Sequence, residues 1–170
     1  MLIRKMEPRD SLSVATVHTQ SWQYAYKGIV SQSFLDALDI QKREEAWRKG
    51  AETNHPPIIR LVLESAGKVV GFATGLDNRS KVEMPDCDSE LWAIYVAPDQ
   101  LGKGFGAAIF KKFTSELRVL GKKQFCVWVL KENFRARGFY ESQGGKLSSV
   151  CKEAKIGEQL LSEVTYVFQL

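Results

Sequence analysis

The chain is poor in histidine, cysteine and proline, and it has no long apolar run. His18 and His55 are far apart in sequence, with no ligand-type residues grouped around either, so no metal site is expected. The three cysteines, Cys87, Cys126 and Cys151, are odd in number and lack Cys-x-x-Cys spacing. That argues against a disulfide framework or a zinc site and fits a reducing, cytoplasmic setting. No apolar stretch approaches the roughly 20 residues of a membrane span. The opening MLIRKMEPRD lacks the apolar region of a signal peptide. Lys122-Lys123 reads as a solvated helix end rather than part of a basic stripe, so nucleic acid is not an expected partner. Internal repeats and low-complexity linkers are also missing.

What is present suits one domain over residues 1–170, long enough to bury a real core. The apolar fraction is 44%, the charged fraction 26% and the net charge +4, which mildly favours anionic ligands. Residues 2–6 read as a strand, broken by Glu7-Pro8-Arg9-Asp10, with Asp10 or Ser11 placed to cap a helix running to about Tyr26 and ended by Gly28. A short helix around Phe34–Leu38 follows. Glu44 to Arg48 lie in another, ended by Gly50 or by His55-Pro56-Pro57. Residues 58–64 and 69–76 form a hairpin. Leu91–Val96 and Phe125–Leu130 are strands covered on both faces, with helices after each. Residues 146–152 and 164–169 are the last strands. The expected class is α/β (α+β) with a single mixed sheet.

The glycine run Gly102-Lys103-Gly104-Phe105-Gly106 sits between a buried strand and a helix start. A loop bare of side chains there can aim backbone N–H groups at one anion, aided by the positive helix end. A Walker loop needs Gly-Lys followed by Ser or Thr, but Gly104 follows here. A dinucleotide loop needs Gly-x-Gly-x-x-Gly and an acid about 20 residues on, and neither is present.

The stretch Glu90-Leu-Trp-Ala-Ile-Tyr-Val-Ala-Pro-Asp-Gln-Leu-Gly-Lys-Gly-Phe-Gly106 resembles motif A of the GNAT superfamily of acetyl-CoA-dependent N-acetyltransferases. Downstream, Asn133-Phe-Arg-Ala136-Arg-Gly-Phe139-Tyr140 with Gly144 resembles its motif B, in the family's order and separation. Ser21-Trp22 and Ala25-Tyr26-Lys27-Gly28 look like one branch of the same superfamily, so the resemblance spans nearly the whole chain. Two departures stand out. Leu101 replaces the Arg or Gln that usually precedes the first glycine, with Gln100 one place early. Gly145 replaces a usual Phe.

The resemblance implies a mostly antiparallel sheet of about seven strands, splayed between the fourth and fifth and flanked by about four helices. It implies acetyl-CoA as co-substrate, with Ile94, Tyr95 and Val96 on the pantetheine and the amides from Leu101 through Gly102, Lys103, Gly104, Phe105, Gly106 and Ala107 on the pyrophosphate. Lys103 would add charge, Asn133, Ala136 and Phe139 would line the helix side, and Arg137 is a candidate for the ribose phosphate. Tyr140 matches the general acid and Glu90, with Asp88 the nearest substitute, a general base. Trp22, Tyr26 and Trp92 are candidates for the acceptor pocket. The acidic segment 77–90, with Asp77, Glu83, Asp86, Asp88 and Glu90 against Arg79 and Lys81, would favour a cationic acceptor. The acceptor is expected to be a small-molecule or protein amine, and a homodimer is common among similar proteins. The alternative is a module that binds or senses acyl-CoA without catalysis.

Overall fold

The structure, a computed structural model, describes residues 1–53 and 58–170. The strands are β1 (Leu2–Lys5), β2 (Ile59–Ser65), β3 (Lys68–Asp77), β4 (Ser89–Val96), β5 (Gln124–Leu130), β6 (Lys146–Ile156) and β7 (Gln159–Gln169). They form one sheet in the order β1-β2-β3-β4-β5-β7-β6. Only β4 and β5 run parallel; every other neighbouring pair is antiparallel. The helices are α1 (Ser11–Ala25), α2 (Gln32–Asp36), α3 (Ile40–Thr53), α4 (Phe105–Val119) and α5 (Phe134–Ser142). The described residues thus hold five helices where about four were expected, and α2 is little more than one turn.

Side-chain alternation divides the core between the two faces of the sheet. Leu61 and Leu63 point to the side of α4, where Ile109, Phe113 and Leu117 recur at helical spacing. Val62 and Phe72 point the other way and pack with Val14 and Val17 of α1. Phe125 and Phe168, on adjacent strands, stack with centroids 4.7 Å apart. Burial of each such ring contributes about 1.5–3 kcal/mol.

Several local expectations change. Asp10 does not cap α1 with its side chain. Its carboxylate instead accepts from Glu7 N at 2.8 Å and is paired to Arg4, which ties the turn Pro8–Asp10 to β1. Gly50 does not end α3, which continues to Thr53; Arg60 lies across it, so a Cβ there would meet Nη2 at 3.2 Å. The His55-Pro56-Pro57 break lies outside the described residues, as does His55. β6 and β7 are longer than expected because they close as a hairpin on a tight turn at Gly157.

Two irregularities shape β4. Opposite β3, Thr74 pairs with Ala93 and Gly75 with Leu91, so Trp92 is an extra, bulged residue. Leu91 therefore faces α4, whereas Ala93 and Tyr95 face α1. The backbones come so close here that a Cβ on Gly75 would stand 2.2 Å from Glu90 O. On the opposite edge, β4 pairs with β5 only at Ser89–Phe125 and Glu90–Cys126. Beyond that β5 continues on β7, and the rest of β4 has a strand on one side only. This is the expected splay.

Candidate active site

A cavity of about 370 Å³ lies where β4 and β5 diverge. Its walls are the end of β4, the glycine turn, the first turn of α4, α5 and the last turns of α1. Every residue expected to contact the cofactor lies on it except Lys103 and Arg137. Gly102 (φ +79°) and Gly104 (φ +78°) adopt the left-handed conformation that other residues resist. Gly104 is also the residue from which α4 starts, so the positive end of that helix opens into the cavity. Lys103 turns outward and donates to Gln100 Oε1 at 2.8 Å. Gln100 itself lines the cavity beside Leu101. The displaced glutamine therefore remains at the site despite its shift in sequence.

Motif B supplies the facing wall. Asn133 Oδ1 accepts from Ala136 N at 3.1 Å and caps α5, so its side chain is spent on holding the helix start. Arg137 does not reach the cavity. It donates to the Tyr166 hydroxyl at 3.2 Å and to Lys131 O at 3.0 Å. The helical turn carries Arg135 to the cavity instead, where its guanidinium lies over the Tyr24 ring. Arg135, Tyr24, Ser142 and Gln143 are lining residues to which the motifs assign no role. At Gly145, a Cβ would stand 2.6 Å from Phe168 Cζ. The ring of Phe168 thus occupies the space beside the missing aromatic.

Tyr140 is buried on this cavity, with a hydroxyl that makes no hydrogen bond to the described residues. Burial, and then the nearby Tyr26, push its pKa upward, so the group stays a protonated donor at ordinary pH. Tyr26 and Tyr95 share a hydroxyl–hydroxyl hydrogen bond of 2.9 Å, and burial raises both. Tyr26 lines neither cavity and serves as a brace for Tyr95.

A second cavity of about 470 Å³ lies on the opposite face, between α1, α3 and the sheet. Trp22 and Trp92 line it, and Tyr95 is the one residue common to both cavities. Among the described residues, Arg43, Arg60 and Arg79 are its charged members, and no carboxylate lines it. His18 also lines it; burial, then the charge of Arg43, holds its pKa down at about 3, so the imidazole is neutral.

The acids of segment 77–90 are mostly engaged elsewhere. Glu90 is buried and accepts from Arg79 N at 3.0 Å and from its guanidinium at 3.3 Å. Asp88 accepts from Lys123 N and from Ser89 Oγ, both at 2.9 Å, at the start of β5. Asp77 lies 3.6 Å from Lys122 Nζ, so Lys122 is not a simple solvated end. A carboxylate that sequence reasoning missed is Glu163 of β7. Burial raises its pKa, Lys152 at 3.8 Å lowers it, and Glu90 raises it again. Nothing in the local sequence of β7 distinguishes it from other strand glutamates. All three cysteines are free thiols, and no helix among the described residues is long and apolar enough to cross a membrane.

Residues 19–145 match the model of the acetyltransferase (GNAT) family. The uncharacterized N-acetyltransferase YuaI of Bacillus subtilis (strain 168) is 28% identical over 131 residues, covering 77% of this chain and 72% of YuaI. The ribosomal-protein-alanine N-acetyltransferase of Brucella melitensis has a similar fold, with TM-score 0.76, 21% identity and full coverage of both chains, 100% and 100%. So does YncA of Salmonella typhimurium, a putative acetyltransferase crystallised with its cofactor acetyl-CoA. Its TM-score is 0.72 at 20% identity, covering 100% of this chain and 94% of YncA.

Proposed function

The chain belongs to the GNAT acetyltransferase family, and from that premise we propose that residues 1–170 act as one domain transferring the acetyl group of acetyl-CoA to a primary amine. The observation that carries the reading is the first cavity, which brings a backbone-lined anion turn, an unpaired strand edge and a protonated tyrosine together. The turn from Gly102 to Ala107 would take the pyrophosphate on backbone amides. The open edge of β4 at Ile94–Val96 would pair with the pantetheine amides as an added strand would.

Catalysis then needs an amine lone pair at the thioester carbon. The acceptor would lie in the second cavity, with its nitrogen at the Tyr95 wall that the two cavities share. Attack forms the C–N bond, and a β4 amide facing the gap stabilises the oxyanion. Collapse breaks the C–S bond, and the Tyr140 hydroxyl gives its proton to the departing thiolate. Glu90, held by Arg79, would take the amine's proton through a water.

The test is thiol release from acetyl-CoA against a panel of primary amines, with the acetylated product identified by mass. Saturable thiol release with a matching amide product is expected. Tight acetyl-CoA binding without product from any amine would instead mark an acyl-CoA-sensing module.

A further inference from the structure

The second cavity carries information about the acceptor. Five buried side-chain polar atoms among the described residues lack a hydrogen-bond partner, and three of them belong to residues lining this cavity: His18 Nδ1, Trp22 Nε1 and Arg43 Nη1. Buried polar atoms are normally partnered, so three in one place point to a ligand that brings its own acceptors. The charge is equally one-sided. Arg79 is neutralised by Glu90, but Arg43 has no ion pair among the described residues, and its guanidinium lies 5.0 Å from the centroid of the Trp22 ring. A partly desolvated guanidinium with a free N–H binds carboxylate more strongly than any neutral group. The remaining walls include Trp22, Trp47 and Trp92, which suit an apolar or aromatic substituent.

We propose that the acceptor is an amine that also carries a carboxylate, a small α-amino acid with an apolar side chain, whose carboxylate is held by Arg43. This rests on the acetyl-transfer reading above. The carboxylate would sit at Arg43 Nη1 with the Trp22 indole N–H as a second donor. The amine would then face Tyr95 and the thioester. It reverses the expectation of a cationic acceptor, because the acids behind that expectation do not line the cavity.

The test compares phenylalanine, phenylalanine amide and phenethylamine as acceptors, and leucine with its own amide and amine. The acid of each set should be favoured in kcat/KM by about 10- to 100-fold, the range of a charged hydrogen bond. Arg43→Gln should erase that preference by slowing the acids alone, and Arg43→Lys should restore part of it, which separates the role from a folding defect. Binding without chemistry is read with 3-phenyllactate, which carries the carboxylate and no amine. It should raise the thermal midpoint of the wild type and not that of Arg43→Gln. Phenyllactate binding with no acetylation of any amine would keep the carboxylate site and defeat the acetyl-transfer reading. Amides or simple amines acetylated as fast as the acids would overturn the carboxylate proposal and leave acetyl transfer standing.

Discussion

The two cavities on either side of Tyr95 are built in opposite ways. The first is made of backbone: a glycine turn, a helix start and an unpaired strand edge. The second is made of side chains from α1, α3, β2, β3, β4 and the loop after β3, with arginines and indoles as its chemistry. Backbone recognition suits a ligand whose polar groups never vary, because it survives most substitutions. Side-chain recognition suits a partner that must be chosen, because each wall can be changed alone. On the proposed function, this contrast corresponds to the cofactor in one cavity and specificity in the other.

The largest test of that division concerns Tyr140, at the chemical junction. Tyr140→Phe should lower kcat by about 10²- to 10⁴-fold, the range of general acid catalysis, while the acetyl-CoA Kd from calorimetry hardly moves. A matched loss of affinity would place Tyr140 in binding instead. In the wild type, the alkaline loss of kcat caused by Tyr140 ionisation should lie above pH 10, since burial raises its pKa and the acid works only while protonated.

Within the first cavity, backbone should outweigh side chain. Gly104→Val forces a β-branched residue toward a φ of +78°. The strain of about 1–3 kcal/mol should weaken coenzyme A binding by about 5- to 100-fold. Lys103→Ala should change the same Kd by no more than about threefold, because the ammonium is exposed and turned toward Gln100. If the two variants rank the other way, the pyrophosphate is held by charge rather than by amides.

A separate effect belongs to His18 and is read in stability rather than in rate or affinity. Its folded pKa of about 3 lies below the unfolded value near 6.5, so the unfolded chain takes up the proton first. The corresponding stability is fully present above about pH 6.5 and is lost as pH falls toward 3, at up to ~1.4 kcal/mol per pH unit. His18→Phe should flatten that slope in denaturant titrations between pH 6.5 and 4. An unchanged slope would mean that the imidazole is solvated and the second cavity wet.

The sequence revealed the two cavities unequally, for the same physical reason. Glycines at 102 and 104 can be read because few positions demand a left-handed backbone next to a helix start. The strand at Leu91–Val96 could be read from its unbroken apolar character, but not its partial exposure: within this span only Leu91 is buried, and the residues after it are half-buried where they line the two cavities. Arg43 could not. It sits in a helix with Glu44, Glu45, Arg48 and Lys49, where one more charge looks like a solvated face. Only the packing of α3 against the sheet shows which of these charges turns inward. Arg135 and Arg137 pose the same problem two residues apart, and the rotation of α5 selects between them. The acidic segment could not be weighed from composition, which counts charges without showing which are already matched, as Glu90 is by Arg79.

The bulge at Trp92 makes β4 unequally tolerant of two kinds of change. Substitutions along the strand alter one wall at a time. With the bulge in place, deleting a regular residue beyond it, such as Ile94, would turn every side chain on one flank through to the other face. Whichever flank yields, Leu91 and Tyr95 could no longer occupy opposite faces, and one ligand's wall would be exchanged for the other's. Functional descendants of this chain should therefore vary freely in what β4 carries while keeping its length.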